Sequence, residues 1–248
     1  MMTRFLVPTI ALAVVALGAA CGDLSEEDLI FRGAVPAKAE LELQPAGEAS
    51  TANQPDDTQS QALGNRCADG DLRCNARDAA RGFNGLTFQL LDLIDRITAQ
   101  PPTTRATGVR VWGPYFDLKS LSTARFEMTR NDDGQSFSFC VHAVRGTIRN
   151  AQARDITCAT DVDADTGLHE ILSGSFTPSN VVGDGARKGR GELVLRTDRI
   201  PDFSALHAQQ IHIQFDNTDS KKDVSLQIVG VVGADGTVLP SPLQYHFR

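Results

Sequence analysis

The sequence predicts a mainly β fold: an antiparallel meander that forms a barrel or a strongly curved sheet, with one N-terminal amphipathic helix packed on it. After Pro102, apolar and polar residues alternate with a period of two in short segments. Clusters of Asp, Asn and Gly separate these segments, and no helix-length stretch lies between them. Parallel strands need such crossovers, so an antiparallel sheet is expected. A two-sheet sandwich is the alternative.

The first twenty residues form a segment unlike the rest of the chain. Arg4 is its only charge, and an apolar run from Phe5 to Leu17 leads to small residues. A positive start, a short apolar core and small residues before a cleavage point are typical of a secretory signal. The run is shorter than the roughly 20 apolar residues of a membrane span. Residues 1–20 are therefore predicted to be a signal peptide.

The residues from Leu17 to Cys21, Leu-Gly-Ala-Ala-Cys, resemble the lipobox of bacterial lipoproteins. The resemblance implies cleavage before Cys21, whose thiol would carry diacylglycerol and whose amine would be acylated. Gly18 departs from the pattern, since leucine is commonest at that place. The residue after Cys21 is Gly22 and not aspartate, which resembles lipoproteins that are sorted to the outer membrane. The implied location is the cell envelope, at the outer membrane, with the membrane as partner through the lipid.

Residues 21–65 are predicted to be the lipidated N-terminus and a flexible tether. Residues 34–61 are rich in Ala, Pro, Glu, Ser, Thr, Gln and Asp, and have few large apolar side chains. Such a segment cannot bury enough surface to offset its ordering entropy. As a random coil, an arm of ~40 residues would reach ~35 Å. The one apolar island is Asp28 to Arg32.

Residues 66–248 are predicted to form one β-rich globular domain, which is long enough for a core of ordinary size. It opens with a helix from Asn84 to Gln100, with Asn84 as N-cap and two prolines after it. Gly82 and Gly85 weaken an earlier start. The apolar stripe of this helix consists of Leu86, Leu90, Leu91, Leu93, Ile94 and Ile97.

Eight or nine strands follow the helix. The clearest alternations lie at 137–142, 192–197, 211–215 and 224–228. Turn signals lie at 131–134, 163–167, 216–220 and 235–236. Each strand is expected to bury one face and expose the other.

Disulfides are expected because an exported chain keeps four cysteines once Cys21 is lipidated. Three pairings are open. Proximity in sequence favours the pairs Cys67–Cys74 and Cys140–Cys158. An exported location also favours a disulfide over a nucleophilic role for Cys140.

Charge excludes one class of partner. The chain has 24 Lys and Arg against 31 Asp and Glu, and no basic stripe. An acidic chain of this kind has no electrostatic basis for binding nucleic acid.

Three motifs resemble sites of chemistry only in part. His169-Glu170 begins a zinc-protease motif, but Ser173 stands where the second histidine is needed. Asp161, Asp163 and Asp165 resemble a calcium loop that lacks its glycine and final glutamate, so an acidic turn is favoured. Residues 183–191 are rich in glycine and basic residues but lack the order of a phosphate loop, so a flexible hairpin is favoured.

The five histidines offer one convergent pair, His142 and His212, if their strands are neighbours. Solvated histidines are the simpler interpretation. Neither a metal nor a cofactor is expected, and no catalytic residue is assigned.

An aromatic cluster, Trp112, Tyr115 and Phe116, is the candidate ligand mouth. Packing of these rings where the helix meets the first strand is the alternative. The helix end at residues 95–97, the double proline and the run Val111 to Pro114 are similar to uncharacterised lipoproteins of deltaproteobacterial type, over roughly residues 84–215. That resemblance supports a lipoprotein and implies no mechanism.

The expected function is that of a lipid-anchored envelope protein with a binding or structural role and no catalytic activity. Its expected partner is an envelope protein or an apolar ligand. The alternative is a carrier or receptor that holds an apolar ligand between helix and sheet. An apolar cavity of several hundred Å³ would distinguish the carrier.

Replacing Cys21 tests the lipid anchor. The Cys21→Ala chain has no thiol to receive diacylglycerol, so it should be soluble in the periplasm or uncleaved. Partition between detergent and water, with the parent chain alongside, is the measurement. A variant that partitions into detergent like the parent would disprove the anchor.

Overall fold

The computed structural model describes three α-helices, a one-turn 3-10 helix (Thr197–Arg199) and nine strands. It covers residues 24–44, 72–119, 121–148, 156–179, 188–200, 209–218, 221–231, 237, 238, 240 and 242–247. The helices are α1 (Glu26–Gly33), α2 (Lys38–Leu41) and α3 (Leu72–Thr98). The strands are β1 (Thr104–Ala106), β2 (Val109–Asp117), β3 (Ser122–Arg130), β4 (Phe137–Arg145), β5 (His169–Pro178), β6 (Gly189–Arg196), β7 (Gln210–Thr218), β8 (Lys221–Val229) and β9 (Leu243–Phe247). The predicted signal peptide, Cys21 and Cys67 lie outside the described residues.

The nine strands form one antiparallel sheet in simple chain order, from β1 to β9. The predicted meander is therefore confirmed, while the barrel and the two-sheet sandwich are wrong. A barrel needs its first and last strands to pair. In the described part of the chain, β1 pairs only with β2, and β9 only with β8. With only three residues, β1 also offers a short ladder to any partner.

The sheet has one apolar and one polar face. Phe126 pairs across β3 and β4 with Val141, and Leu193 pairs across β6 and β7 with Ile213. Because side chains alternate along a strand, residues such as Glu127 and Glu192 point to the opposite face. The buried apolar side chains of α1, α3 and strands β2 to β8 belong to a single hydrophobic cluster. The helices therefore lie on the apolar face, and the polar face lies on the far side of the sheet.

Helix α3 is longer than predicted. It begins at Leu72 and ends at Thr98, and all six residues of the predicted stripe are buried. Asn84 is not an N-cap, because it lies inside this helix. Its side chain accepts a hydrogen bond from the Leu43 N–H and donates one to the Leu43 carbonyl, each at 2.8 Å. The buried amide thus connects the segment after α2 to α3, a long-range contact that outweighs the low helix propensity of Gly82 and Gly85.

The structure differs from the predicted tether over residues 24–44. Phe31, Leu41 and Leu43 are fully buried in the hydrophobic cluster. The Phe31 ring lies edge-on to Phe137 of β4, with centroids 5.5 Å apart. The Asn217 side chain of β7 donates a hydrogen bond to the Glu40 carbonyl. This segment is part of the fold because its few apolar side chains cover a sheet that does not close on itself.

A buried ion pair joins α1 to the sheet edge. The fully buried carboxylate of Asp28 accepts hydrogen bonds from Nε of Arg110 at 2.7 Å and Nε of Arg105 at 3.0 Å. Ser25 caps the helix and also donates its backbone N–H to Asp28. Burial raises the pKa of Asp28, but the Ser25 backbone and the Arg110 and Arg105 side chains outweigh it and lower that pKa to about 2. Asp28 is therefore ionised at neutral pH.

Neutralising Asp28 should destabilise the whole fold. Asp28→Asn removes the buried carboxylate from the Arg110 guanidinium and leaves it only the half-exposed Glu27 as a described carboxylate partner. Breaking a buried ion pair costs about 3–5 kcal/mol. Because the pKa of the folded-state carboxyl is depressed, its contribution is complete above about pH 4 and is lost as the pH falls toward 2. The difference in unfolding free energy between parent and variant should therefore narrow by about 2 kcal/mol over that window. Urea unfolding at a series of pH values measures it.

Asp132→Asn is the matched control, since Asp132 is an exposed carboxylate in the β3–β4 turn. It should unfold at the same urea concentration as the parent at neutral pH. If Asp28→Asn behaves like this control, the ion pair does not hold α1 in place.

Candidate functional site on the polar face of the sheet

A strap, residues 156–168, lies against the polar face of the sheet. It is attached by the disulfide Cys140–Cys158, whose Cα atoms are 5.5 Å apart, which confirms the predicted pairing. Cys74 is also disulfide-bonded; its predicted partner, Cys67, lies outside the described residues. Ile156 and Leu168, the two ends of the strap, form a small second hydrophobic cluster, against which Val144 of β4 packs. The strap is thus fixed covalently and by packing.

His142 lies under the strap and is fully buried. Its Nε2–H donates to the carbonyl of Thr160 at 2.6 Å, and its Nδ1 faces the sulfur of Cys140 at 3.8 Å. Burial lowers the pKa of His142, although the bond to Thr160 opposes that effect. The ring is therefore neutral at pH 7, and its role is to hold the strap.

The other charged groups beside the strap are also paired within the protein. Arg125 and Glu127 of β3 form a buried ion pair at 2.8 Å. The Arg199 guanidinium binds both carboxylate oxygens of Asp161, at 2.6 and 2.9 Å, and lowers the pKa of that carboxyl. Glu170 accepts a hydrogen bond from the Ser173 hydroxyl at 3.0 Å. This half of the polar face is accordingly built to carry the strap.

A groove of about 360 Å³ lies on the polar face, over β5, β6 and β7. Its polar lining side chains are Ser175, Thr177, Arg190, Glu192, Gln214 and Asp216. They stand in two rows across the strands, since Ser175 pairs with Glu192 and Glu192 with Gln214. Arg190 is likewise opposite both Thr177 and Asp216. Neighbouring strands are about 4.8 Å apart, so each row presents polar groups at that interval.

The groove side chains differ from those beside the strap because they have no partners within the described part of the chain. None of the six makes a side-chain hydrogen bond or ion pair there. Arg190, Glu192 and Gln214 are exposed, and the other three are half-buried. One cation, two anions, two hydroxyls and an amide thus offer both donors and acceptors to a ligand.

The predicted ligand mouth is not assembled. Trp112 is fully buried against Phe126, and its Nε1–H donates to the Gln100 carbonyl at 3.1 Å. The Tyr115 hydroxyl donates to the Pro101 carbonyl at 2.9 Å. Phe116 pairs with Thr123 and is 40% exposed. Since Tyr115 and Phe116 are adjacent in an extended strand, they point to opposite faces, so the three rings do not line one opening.

The side chains of the zinc-protease-like and calcium-loop-like motifs make structural contacts within the protein. His169 and Glu170 start strand β5, and both ring nitrogens of His169 face backbone carbonyl oxygens. The Asp163 carboxylate accepts hydrogen bonds from the backbone and hydroxyl of Thr166, which closes an acidic turn. His142 and His212 lie on β4 and β7, three strand spacings apart, so they do not converge.

Among the described residues, no three His, Cys, Asp or Glu side chains are grouped so that they could hold one metal ion. Among the same residues, no helix has the length and apolar character needed to cross a membrane. Most of the glycine-rich segment 183–191 lies outside the described residues.

Sequence reasoning missed the groove. The alternation predicts that Glu192 and Gln214 are on polar faces, and hairpin-length links predict that β6 lies between β5 and β7. The alternation of apolar and polar residues does not specify the strand register, and it is this register that aligns the polar side chains of β5, β6 and β7 in two rows. The composition of residues 183–191 predicts that Arg190 belongs to a flexible hairpin, whereas it lies in β6, opposite Asp216.

No protein-family profile, curated protein or solved structure matches the chain.

Removing the strap disulfide should lower stability. The bond closes a loop with a sequence separation of 18 residues. In the chain-entropy description, a loop of this length contributes about 3 kcal/mol to the unfolding free energy. The double variant Cys140→Ala/Cys158→Ala should lose about that amount in urea unfolding. An unchanged urea midpoint would show that the disulfide does not constrain the unfolded chain.

Proposed function

We propose that this protein is a lipid-anchored protein of the cell envelope, held at the outer membrane through Cys21, and that its folded domain binds a ligand and does not catalyse. The lipobox-like residues Leu17 to Cys21 support the anchor. Acyl chains contribute about 0.8 kcal/mol per buried CH₂, so two or more chains are a stable attachment.

The groove over β5, β6 and β7 is the proposed binding surface, and its unpartnered side chains are the observation that carries this proposal. Elsewhere on this side of the sheet, charged side chains such as Glu127 of β3 and Asp161 of the strap are paired internally. A set of donors and acceptors without internal partners is available to a ligand at no cost in protein contacts.

The proposed ligand is polyhydroxylated, of the class of envelope glycans. Hydroxyl groups both donate and accept hydrogen bonds, and so match a surface that mixes arginine, carboxylates, hydroxyls and an amide. The strand spacing of about 4.8 Å is comparable to the length of one sugar ring. A strongly anionic ligand is disfavoured because Glu192 and Asp216 outnumber Arg190.

A non-catalytic role is supported by how two of the described histidines, His142 and His169, are used. The Nε2–H of His142 bonds to the Thr160 carbonyl, and the ring nitrogens of His169 face the Gly167 and Arg199 carbonyls. Neither ring is placed to exchange a proton with a ligand in the groove. The interior beside Trp112 is filled by Phe126 and Phe139, which gives no support to a carrier of apolar ligands.

Sedimentation with insoluble cell-wall glycan tests the groove. The detergent-solubilised mature protein should pellet with the glycan, and Gln214→Ala should weaken the association about fivefold, since one hydrogen bond contributes about 1 kcal/mol. Arg190→Ala should weaken it more, because a bond from a charged donor contributes about 1.5–3 kcal/mol.

Gln227→Ala is the matched control, because Gln227 is on β8, pairs with His212 on the same polar face and does not line the groove. It should bind like the parent. Equal losses in Gln214→Ala and Gln227→Ala, or no association of the parent, would contradict the proposed binding surface.

A further inference from the structure

The position of α1 restricts how the domain can sit on a membrane. Only Gly22 and Asp23 separate Cys21 from Leu24, the first described residue. Three Cα–Cα steps span at most ~11 Å. A lipid on Cys21 would therefore be within that distance of Leu24, in place of the ~35 Å reach of a long random coil.

Helix α1 is not itself a loose extension of the linker. Asp28 is fully buried and bonded to Arg110, whose guanidinium also lies 5.0 Å from the centre of the Phe31 ring. Both Asp28 and Phe31 are therefore held against β1 to β4. Because the connection is short and the helix is fixed to the sheet, a lipid on Cys21 would restrict the position and orientation of the whole domain relative to the membrane.

The outward surface of α1 is apolar at its centre. Leu29 is 51% exposed and Ile30 is 38% exposed, one after the other on the side opposite Phe31. Glu26 and Gly33 lie on the same side by helical spacing and are exposed. Glu27 is paired with Arg110, and the last turn of the helix contains Arg32, which balances the charge of Glu26. Little net charge therefore opposes contact with a lipid surface.

We propose that the exposed face of α1, centred on Leu29 and Ile30, rests on the same bilayer that holds the acyl chains of Cys21, and that the groove over β5 to β7 consequently faces away from this membrane. This inference rests on the proposed lipidation of Cys21. Helices that lie in the interface bury their apolar face about 5–10 Å into the headgroup region, a depth within the reach of three residues. Helix α1 covers the apolar face of the sheet, and the groove is on the other face, so the sheet stands between bilayer and ligand.

Tryptophan fluorescence tests the orientation in the full lipidated protein. Trp112 is the chain's one tryptophan and is fully buried, so the parent gives a constant baseline. Leu29→Trp adds a reporter at the proposed contact. Val162→Trp adds one to the strap on the far side of the sheet, at a residue that is 56% exposed. Each protein is reconstituted into phosphatidylcholine vesicles whose acyl chains carry bromine, a contact quencher.

The expected result is a blue shift and a loss of intensity for the added tryptophan in Leu29→Trp, with neither change in Val162→Trp. Flotation with the vesicles and the mass of the N-terminal peptide report on the lipid separately. A lipidated protein that floats while both variants are equally unquenched would overturn the orientation and leave the anchor standing. A chain without acyl mass would overturn both.

Discussion

An open antiparallel sheet with one apolar face cannot bury that face by itself, and this constraint organises the rest of the molecule. A closed barrel would enclose its own interior. Here, in the described residues, β1 and β9 remain unpaired edges, and helical segments lie over the apolar face instead. The segment from Ser25 to Leu43, which has few apolar residues, contributes Phe31, Leu41 and Leu43 to the cover. Its recruitment follows from the size of the surface to be buried, at roughly 25 cal/mol per Å² of apolar area.

Polar contacts then set the position of each covering segment. Asp28 with Arg110 fixes α1, Asn84 with the Leu43 backbone fixes the chain after α2, and Asn217 holds the Glu40 carbonyl. All are buried, so each would be costly if only one partner were present. Hydrophobic burial is not directional, so many arrangements of the helical segments over the sheet would satisfy it. These directional hydrogen bonds and ion pairs are satisfied in one arrangement. They therefore specify the geometry more than they add to its stability.

The two faces of the sheet differ in what they contact. On the polar face, one half carries the strap and uses its charged groups internally, as His142 and Arg125 illustrate. The other half, around Arg190 and Gln214, keeps its polar groups available. Helix α1 lies on the apolar face, so the N-terminal end of the described chain is on that side of the sheet. The proposed ligand site and the proposed attachment point therefore lie on opposite faces of the sheet, an arrangement that would leave the site open to solvent in a protein held at a surface.

Local pattern was sufficient for features that depend on neighbouring residues. Period-two alternation and hairpin-length links predicted the antiparallel meander, the 3.6-residue period predicted the apolar stripe of α3, and short separation predicted the Cys140–Cys158 bond. Only the tertiary structure decided that the sheet stays open, that residues 24–44 belong to the fold, that Asn84 lies inside a helix and that six side chains share a groove. Each of those outcomes depends on contacts between residues far apart in the chain, such as Asp28 and Arg110. Composition and spacing carry no record of which distant surface a segment will cover, because burial energy depends on area and not on sequence position.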